Sequence, residues 1–324
     1  MLLNFACQRF FTTFEKPYSK PLQMIIPPYL QKGDRIRIVS PAGKVLKEKV
    51  LPGIELLQQM GYEVLIGNHV FDSHFQYAGT DYQRTFDLQE AIGDPLTRAI
   101  ICARGGYGSV RIIEKLDFTP LLKNPKWLVG FSDVTILHAV LNSLQVASVH
   151  GAMPASFLEN ERPQDSFLSV MEALTAGHSQ VDMELNSSNR KGSGSGELVG
   201  GNLSLLYSLQ GTPWQLDTRK KILFIEDVSE YLYHLDRMIQ NLRLSGQLKG
   251  LAGLVVGGFT EMKDNENPFG KSVCEIILDA VQDYNFPVCF DFPGGHIPRN
   301  ISLILGAPYC LEVDDKCTIK RILP

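Results

Sequence analysis

The chain has 324 residues, 31 Lys and Arg against 35 Asp and Glu for a formal charge of −4, and 44% hydrophobic residues. That length exceeds one ordinary domain and predicts two, each with enough apolar surface for its own core. The slight acidic excess, with no basic cluster interleaved with aromatics, excludes nucleic acid as the main partner, and no run reaches the ~20 apolar residues that would make the membrane one.

Residues 1–23 include Leu2-Leu3-Asn4-Phe5-Ala6-Cys7, which lacks the basic start and long apolar stretch of an export signal. Glu15, Pro17 and Pro21 break any amphipathic transit helix, so this stretch reads as a disordered extension or as a start placed too early, ahead of Met24. From there strands alternate with helices. Strands are expected at 36–40, 62–66, 98–103 and 127–129, and helices at 47–60, 81–92 and 109–116. This alternation implies right-handed crossovers, a parallel sheet, and functional loops gathered at the carboxyl ends of the strands. Gly105-Gly106-Tyr107-Gly108 and Gly130-Phe131-Ser132-Asp133 should then lie side by side.

Residues 186–196 are rich in Asn, Ser and Gly and lack periodicity, so 171–196 is assigned as a linker between a first domain, 24–170, and a second, 197–324. The second domain shows a helix starting near Asn202, a buried strand at 222–225, a helix at 235–244, a strand at 251–257 and a helix at 273–281. Short strands at 287–290, 302–305 and 309–313 make it mixed and rich in β structure. Six cysteines without a Cys-x-x-Cys pair and seven histidines without ligand spacing give no sign of a metal, and no other cofactor is expected.

The chemistry concentrates at Ser132. A buried strand that stops at Gly130, turns through a serine and enters the apolar helix beginning at Val134 leaves the serine hydroxyl at the strand's carboxyl end, as in a nucleophile elbow. Capping the following helix is the ordinary role for such a serine. Val134 stands where the elbow of α/β-hydrolases carries a second glycine, so that family is a poor match. A serine hydroxyl needs a base, and His296 follows the flexible pair Gly294-Gly295. It also needs an orienting acid. Glu226 and Asp227 end one strand, and because neighbouring strand residues face opposite ways only one can meet a given histidine. A glycine N–H from 105–108, with that of Asp133, would form an oxyanion hole. His138 and His150 read as helix and core histidines.

Taken in order, these segments resemble the LD-carboxypeptidase family of serine peptidases, which includes murein tetrapeptide carboxypeptidases and microcin-immunity proteins. The likeness spans 24–313. It rests on Val39-Ser40-Pro41-Ala42-Gly43, Ala78-Gly79-Thr80-Asp81 with Arg84, Ala103 to Ser109, Gly130 to Thr135, Gly200-Gly201-Asn202-Leu203, Phe224 to Asp227 with Glu230, Tyr233-x-x-Asp236-Arg237, and Gly294-Gly295-His296. The resemblance implies a flavodoxin-like parallel-sheet first domain and a smaller, mixed, β-rich second domain. It makes Ser132 the nucleophile, His296 the base and Glu226 its orienting carboxylate, with the N–H groups of Gly106 and Asp133 as oxyanion hole. It also implies a cytoplasmic homodimer that cleaves terminal D-alanine from the diamino acid of a muropeptide. Arg104, Gly201 and Asn202 are candidates for the substrate carboxylate by their donors. One alternative within the family is hydrolysis of aminoacyl-nucleotide conjugates, for which Trp214 would have to clamp a base. Another is a non-catalytic peptide-binding protein, which would need neither Ser132 nor His296.

Overall fold

The computed structural model describes residues 23–160, 162–177 and 180–323. The expected extension at 1–23 lies, except for residue 23, outside them. The first half comprises β1 (Arg35–Val39), α1 (Lys47–Gln59), β2 (Glu63–Ile66), α2 (Asp81–Gly93), β3 (Thr97–Cys102), a short α3 (Pro120–Lys123), β4 (Trp127–Gly130), α4 (Thr135–Ser143) and β5 (Ser148–His150). A ribbon of β6 (Leu158–Glu159) and β7 (Arg162–Pro163) and the helix α5 (Asp165–Thr175) follow. The second half comprises β8 (Gln180–Met183), β9 (Gly192–Asn202), α6 (Leu203–Ser208), β10 (Ile222–Val228), α7 (Leu232–Leu244), β11 (Gly253–Thr260), α8 (Val273–Ala280), β12 (Val288–Cys289), β13 (Leu303–Leu305), β14 (Pro308–Val313) and β15 (Cys317–Arg321).

The first sheet runs β13-β5-β4-β3-β1-β2. Strands 1 to 5 are parallel in the order 2-1-3-4-5, the flavodoxin-like arrangement, and β4 is buried throughout because helices cover both faces. The second sheet runs β12-β11-β10-β9-β14-β15-β8, its first three strands parallel to the end of β9 and the rest antiparallel. Among the described residues no helix is long and apolar enough to cross a membrane.

Three expectations are corrected. The stretch 171–196 is not a linker: it holds the end of α5, all of β8 and the start of β9. Its glycines serve close backbone approach, since a Cβ at Gly194 would lie 1.8 Å from the Ala252 carbonyl oxygen and one at Gly196 2.3 Å from that of Lys220. Gly194→Ala is therefore expected to cost roughly 3 kcal/mol, read as a lowered denaturation midpoint with unchanged slope. The residues around 303, assigned to the second domain, pair antiparallel with β5 in the first sheet (Leu303 with His150, Leu305 with Ser148). The helix expected at 109–116 is two separate 3₁₀ turns, entered through Gly108 at φ +142°.

Candidate active site

β4 ends at Gly130, where a Cβ would come within 2.8 Å of a Val134 methyl. The valine that departs from the hydrolase elbow thus packs directly over the glycine and closes the same turn. Ser132 follows at φ +61°, a left-handed conformation that a serine adopts only under constraint. Capping does not explain it. The 3₁₀ turn Ser132–Val134 and the helix α4 have Phe131 and Val134 in their N-cap positions, neither with a side-chain cap.

The two glycine-bearing loops do meet. A Cβ on Gly105 would stand 2.9 Å from the Ser132 Cβ and 3.1 Å from its Oγ. Asp133 fastens them together: fully buried, its Oδ2 accepts the Ser109 N–H at 2.7 Å. Burial pushes this carboxyl's pKa up, against the Ser109 and Gly108 donors and the charge of Arg84. Arg84, 1% exposed, donates to the carbonyls of Pro41 (2.6 Å) and Gly108 (2.9 Å), pairs with Asp81, and lies 4.9 Å over the Tyr77 ring. It braces the loops after β1 and β3 from beneath. In the sequence Arg84 stands out only as part of a motif; the further signal it carries is its place on the apolar face of the helix at 81–92.

Glu226 is fully buried at the carboxyl end of β10. Its Oε2 accepts from His296 Nδ1 at 2.7 Å and from the His296 N–H at 3.2 Å. A carboxylate accepts only, so Nδ1 carries the proton and Nε2 is the basic nitrogen. Burial lowers the histidine's proton affinity, yet the hydrogen bond to Glu226 and the charges of Glu226, Asp227 and Glu261 outweigh it, and its pKa is raised. Asp227 faces the other way, as strand alternation requires. It accepts from Asn202 Nδ2 and the Ser204 N–H, both at 2.9 Å, and burial, reinforced by Glu226 and Glu230, lifts it to about 6.

The substrate candidates separate. Arg104 is exposed beside Gly105, its guanidinium donating to the Lys44 carbonyl at 2.8 Å. Gly201 and Asn202 are buried at the start of α6, where Asn202 Oδ1 caps the helix by accepting the Leu205 N–H and its own N–H donates to Thr135 Oγ1. That helix start is filled by its own side chains and offers a substrate nothing. Trp214 packs against the apolar core rather than standing as a clamp. His138 bridges Ser148 Oγ and the Gly130 carbonyl, and burial lowers it to about 4; His150 is buried against Phe224 and Phe131, and burial takes it well below the usual histidine value. Beside His296 opens a cleft of about 470 Å³, lined among others by Phe131, Glu159, Gln164, Thr260 and Glu261, a volume suited to a small peptide.

Family models match both halves: the LD-carboxypeptidase N-terminal domain over 36–151 and the LD-carboxypeptidase C-terminal domain over 195–311. A putative carboxypeptidase of Synechocystis sp. is 37% identical, over 91% of this chain and 97% of its own. A probable murein peptide carboxypeptidase of Bacillus subtilis is 32% identical, over 90% of this chain and 93% of its own. The crystal structure of muramoyltetrapeptide carboxypeptidase from Oxalobacter formigenes superposes with a TM-score of 0.81 at 30% identity, covering 89% of this chain and 98% of that one. The microcin C7 self-immunity protein MccF superposes with a TM-score of 0.82 over 94% of this chain and 99% of its own, at 22% identity, a likeness of fold. With a glycine-bounded serine turn and a histidine paired to a buried acid on this scaffold, the chain belongs to the LD-carboxypeptidase family and is a serine-type carboxypeptidase.

Proposed function

We propose that the enzyme removes the terminal D-alanine of murein tetrapeptides, cleaving its bond to the L-centre of the preceding diamino acid. The Glu226–His296 pair carries this reading, because it fixes which imidazole nitrogen is basic. His296 Nε2 takes the Ser132 hydroxyl proton as Oγ adds to the scissile carbonyl. The N–H groups of Gly106 and Asp133 hold the resulting oxyanion. The imidazolium then gives its proton to the departing D-alanine nitrogen, and a water, deprotonated by the same imidazole, resolves the acyl-enzyme. Arg104, exposed beside the Gly105 turn, is the donor for the substrate's free carboxylate. Cytoplasmic peptidoglycan recycling and a homodimer belong to the same reading, the dimer being open to sedimentation.

The test is mass-spectrometric detection of D-alanine released from an L-Ala-D-Glu-diamino-acid-D-Ala tetrapeptide. Release is expected, and its absence from a protein whose Ser132 still reacts with a fluorophosphonate would overturn the substrate. The aminoacyl-nucleotide conjugates would then be assayed next.

A further inference from the structure

His296 rides on a loop that the second half supplies and the first half holds. Asn300, 4% exposed, ties that loop to itself and to α5. Its Oδ1 accepts the Gly295 N–H at 2.9 Å, and its own N–H donates to Ser166 Oγ at 2.9 Å. The Ser166 hydroxyl in turn donates to the Pro298 carbonyl, and two residues on the Ser302 N–H donates to Ser169 Oγ at 2.8 Å. Ser166 and Ser169 stand three apart on α5 and so share a face. Gly295 is where the grip matters: at φ +99°, a Cβ there would lie 2.5 Å from Glu226 Oε2. Its peptide therefore lies against the acid, and the next N–H, that of His296, reaches the same oxygen.

The orientation of the Asn300 amide follows from its partner. An N–H can only donate, so the oxygen faces Gly295, and Nδ2 is left buried without a partner in a residue that lines the cleft. An aspartate would offer the same oxygen without the orphaned donor. It would also add a charge to those already acting on His296: Glu226, which faces it, Asp227, which acts from the opposite side of β10, and Glu261 after β11, with Glu159 on the cleft wall and the neutral His150 on β5 behind. A buried unsatisfied donor is costly, so asparagine at this position fits the task of holding the loop without charging it.

We propose that Asn300, itself held by Ser166, is the positioning residue for the general base, setting the Gly295–His296 peptide against Glu226. This rests on the role proposed above for His296, so the readout is independent of the substrate: the rate at which a fluorophosphonate labels Ser132 in the full-length protein, measured against pH. Asn300→Ala should slow labelling between about tenfold and a hundredfold, the size of effect expected when a catalytic group is misplaced by about an ångström. Its acid limb should move to lower pH, because a loosened His296 loses part of its contact with Glu226. Asn300→Asp keeps the oxygen, so it should recover most of the rate lost in Asn300→Ala, and its acid limb should move to higher pH. Ser166→Ala should fall between wild type and Asn300→Ala. A merely structural role would lower the melting temperature without moving the limb in opposite directions. Labelling of Asn300→Ala within twofold of wild type, or limbs that do not diverge, overturns the proposal. If Asn300→Ala does not fold, Asn300→Asp and Ser166→Ala decide, since an unmoved limb in the first or an unchanged rate in the second also overturns it. A wild type that never labels removes the general base itself and the proposal with it.

Discussion

Ser132→Ala is expected to lower D-alanine release by roughly 10⁴-fold or more while leaving the fold intact. Two properties of the position make this a clean test. The hydroxyl caps no helix, so removing it costs no structural hydrogen bond there. The strain belongs to the backbone at φ +61°, and alanine carries it as serine does. Ser132→Gly separates the two: it should be equally inactive yet at least as stable as wild type, because glycine adopts that conformation without a Cβ clash. Turnover by Ser132→Ala above about a hundredth of the wild-type rate would assign the chemistry to another group.

Glu226→Gln is expected to lower kcat between about 10² and 10⁴-fold, because an amide can present N–H to His296 Nδ1 and so favour the wrong tautomer. The pH profile supplies a second, signed readout. His296 acts as base only when neutral, and although burial lowers its pKa, Glu226 raises it further, so the wild-type rate falls as pH drops through a raised value. Removing that charge should move the acid limb of kcat/KM to lower pH even as the plateau falls. Stability follows from the same linkage. A histidine whose folded pKa is raised adds stability that is fully present below its unfolded value, about 6.5, and is lost as pH rises through the folded value. The gap in melting temperature between wild type and Glu226→Gln should therefore be widest below about pH 6 and narrow towards pH 8. A gap independent of pH would assign the pair no charge–charge role in the folded protein.

The sequence made the first sheet legible because its signals are local: apolar runs alternating with helical periodicity, and glycines at the strand exits. The meeting of Gly105 with Ser132 followed from topology, and the opposed directions of Glu226 and Asp227 from strand alternation. What misled was composition read without its neighbours. Gly192 to Gly196 has the make-up of a flexible linker, yet the backbone at Ala252 and Lys220 presses so close that only glycine fits at positions 194 and 196 of β9. The Gly200-Gly201-Asn202 start looked like an anion site, but whether a helix N-terminus is open depends on whether its own cap residue fills it, and Asn202 does. Asn300 was invisible for a related reason: its partners, Gly295 and Ser166, belong to two different parts of the chain, and no periodicity links them.

The strand at Leu303–Leu305 bears on how the protein is made. Its partner β5 ends at His150, so the edge of the first sheet stays open while the ribosome adds the intervening chain, roughly 15 seconds at about 10 residues per second. Through that interval the nascent first half presents unpaired backbone along β5, the kind of edge that invites pairing with a neighbouring chain. The stretch from His296 to Leu305 closes it, and the same stretch brings His296 to Glu226. Completion of the edge and assembly of the acid–base pair thus depend on one stretch of chain, so a chain truncated before residue 303 exposes its sheet as well as losing a strand.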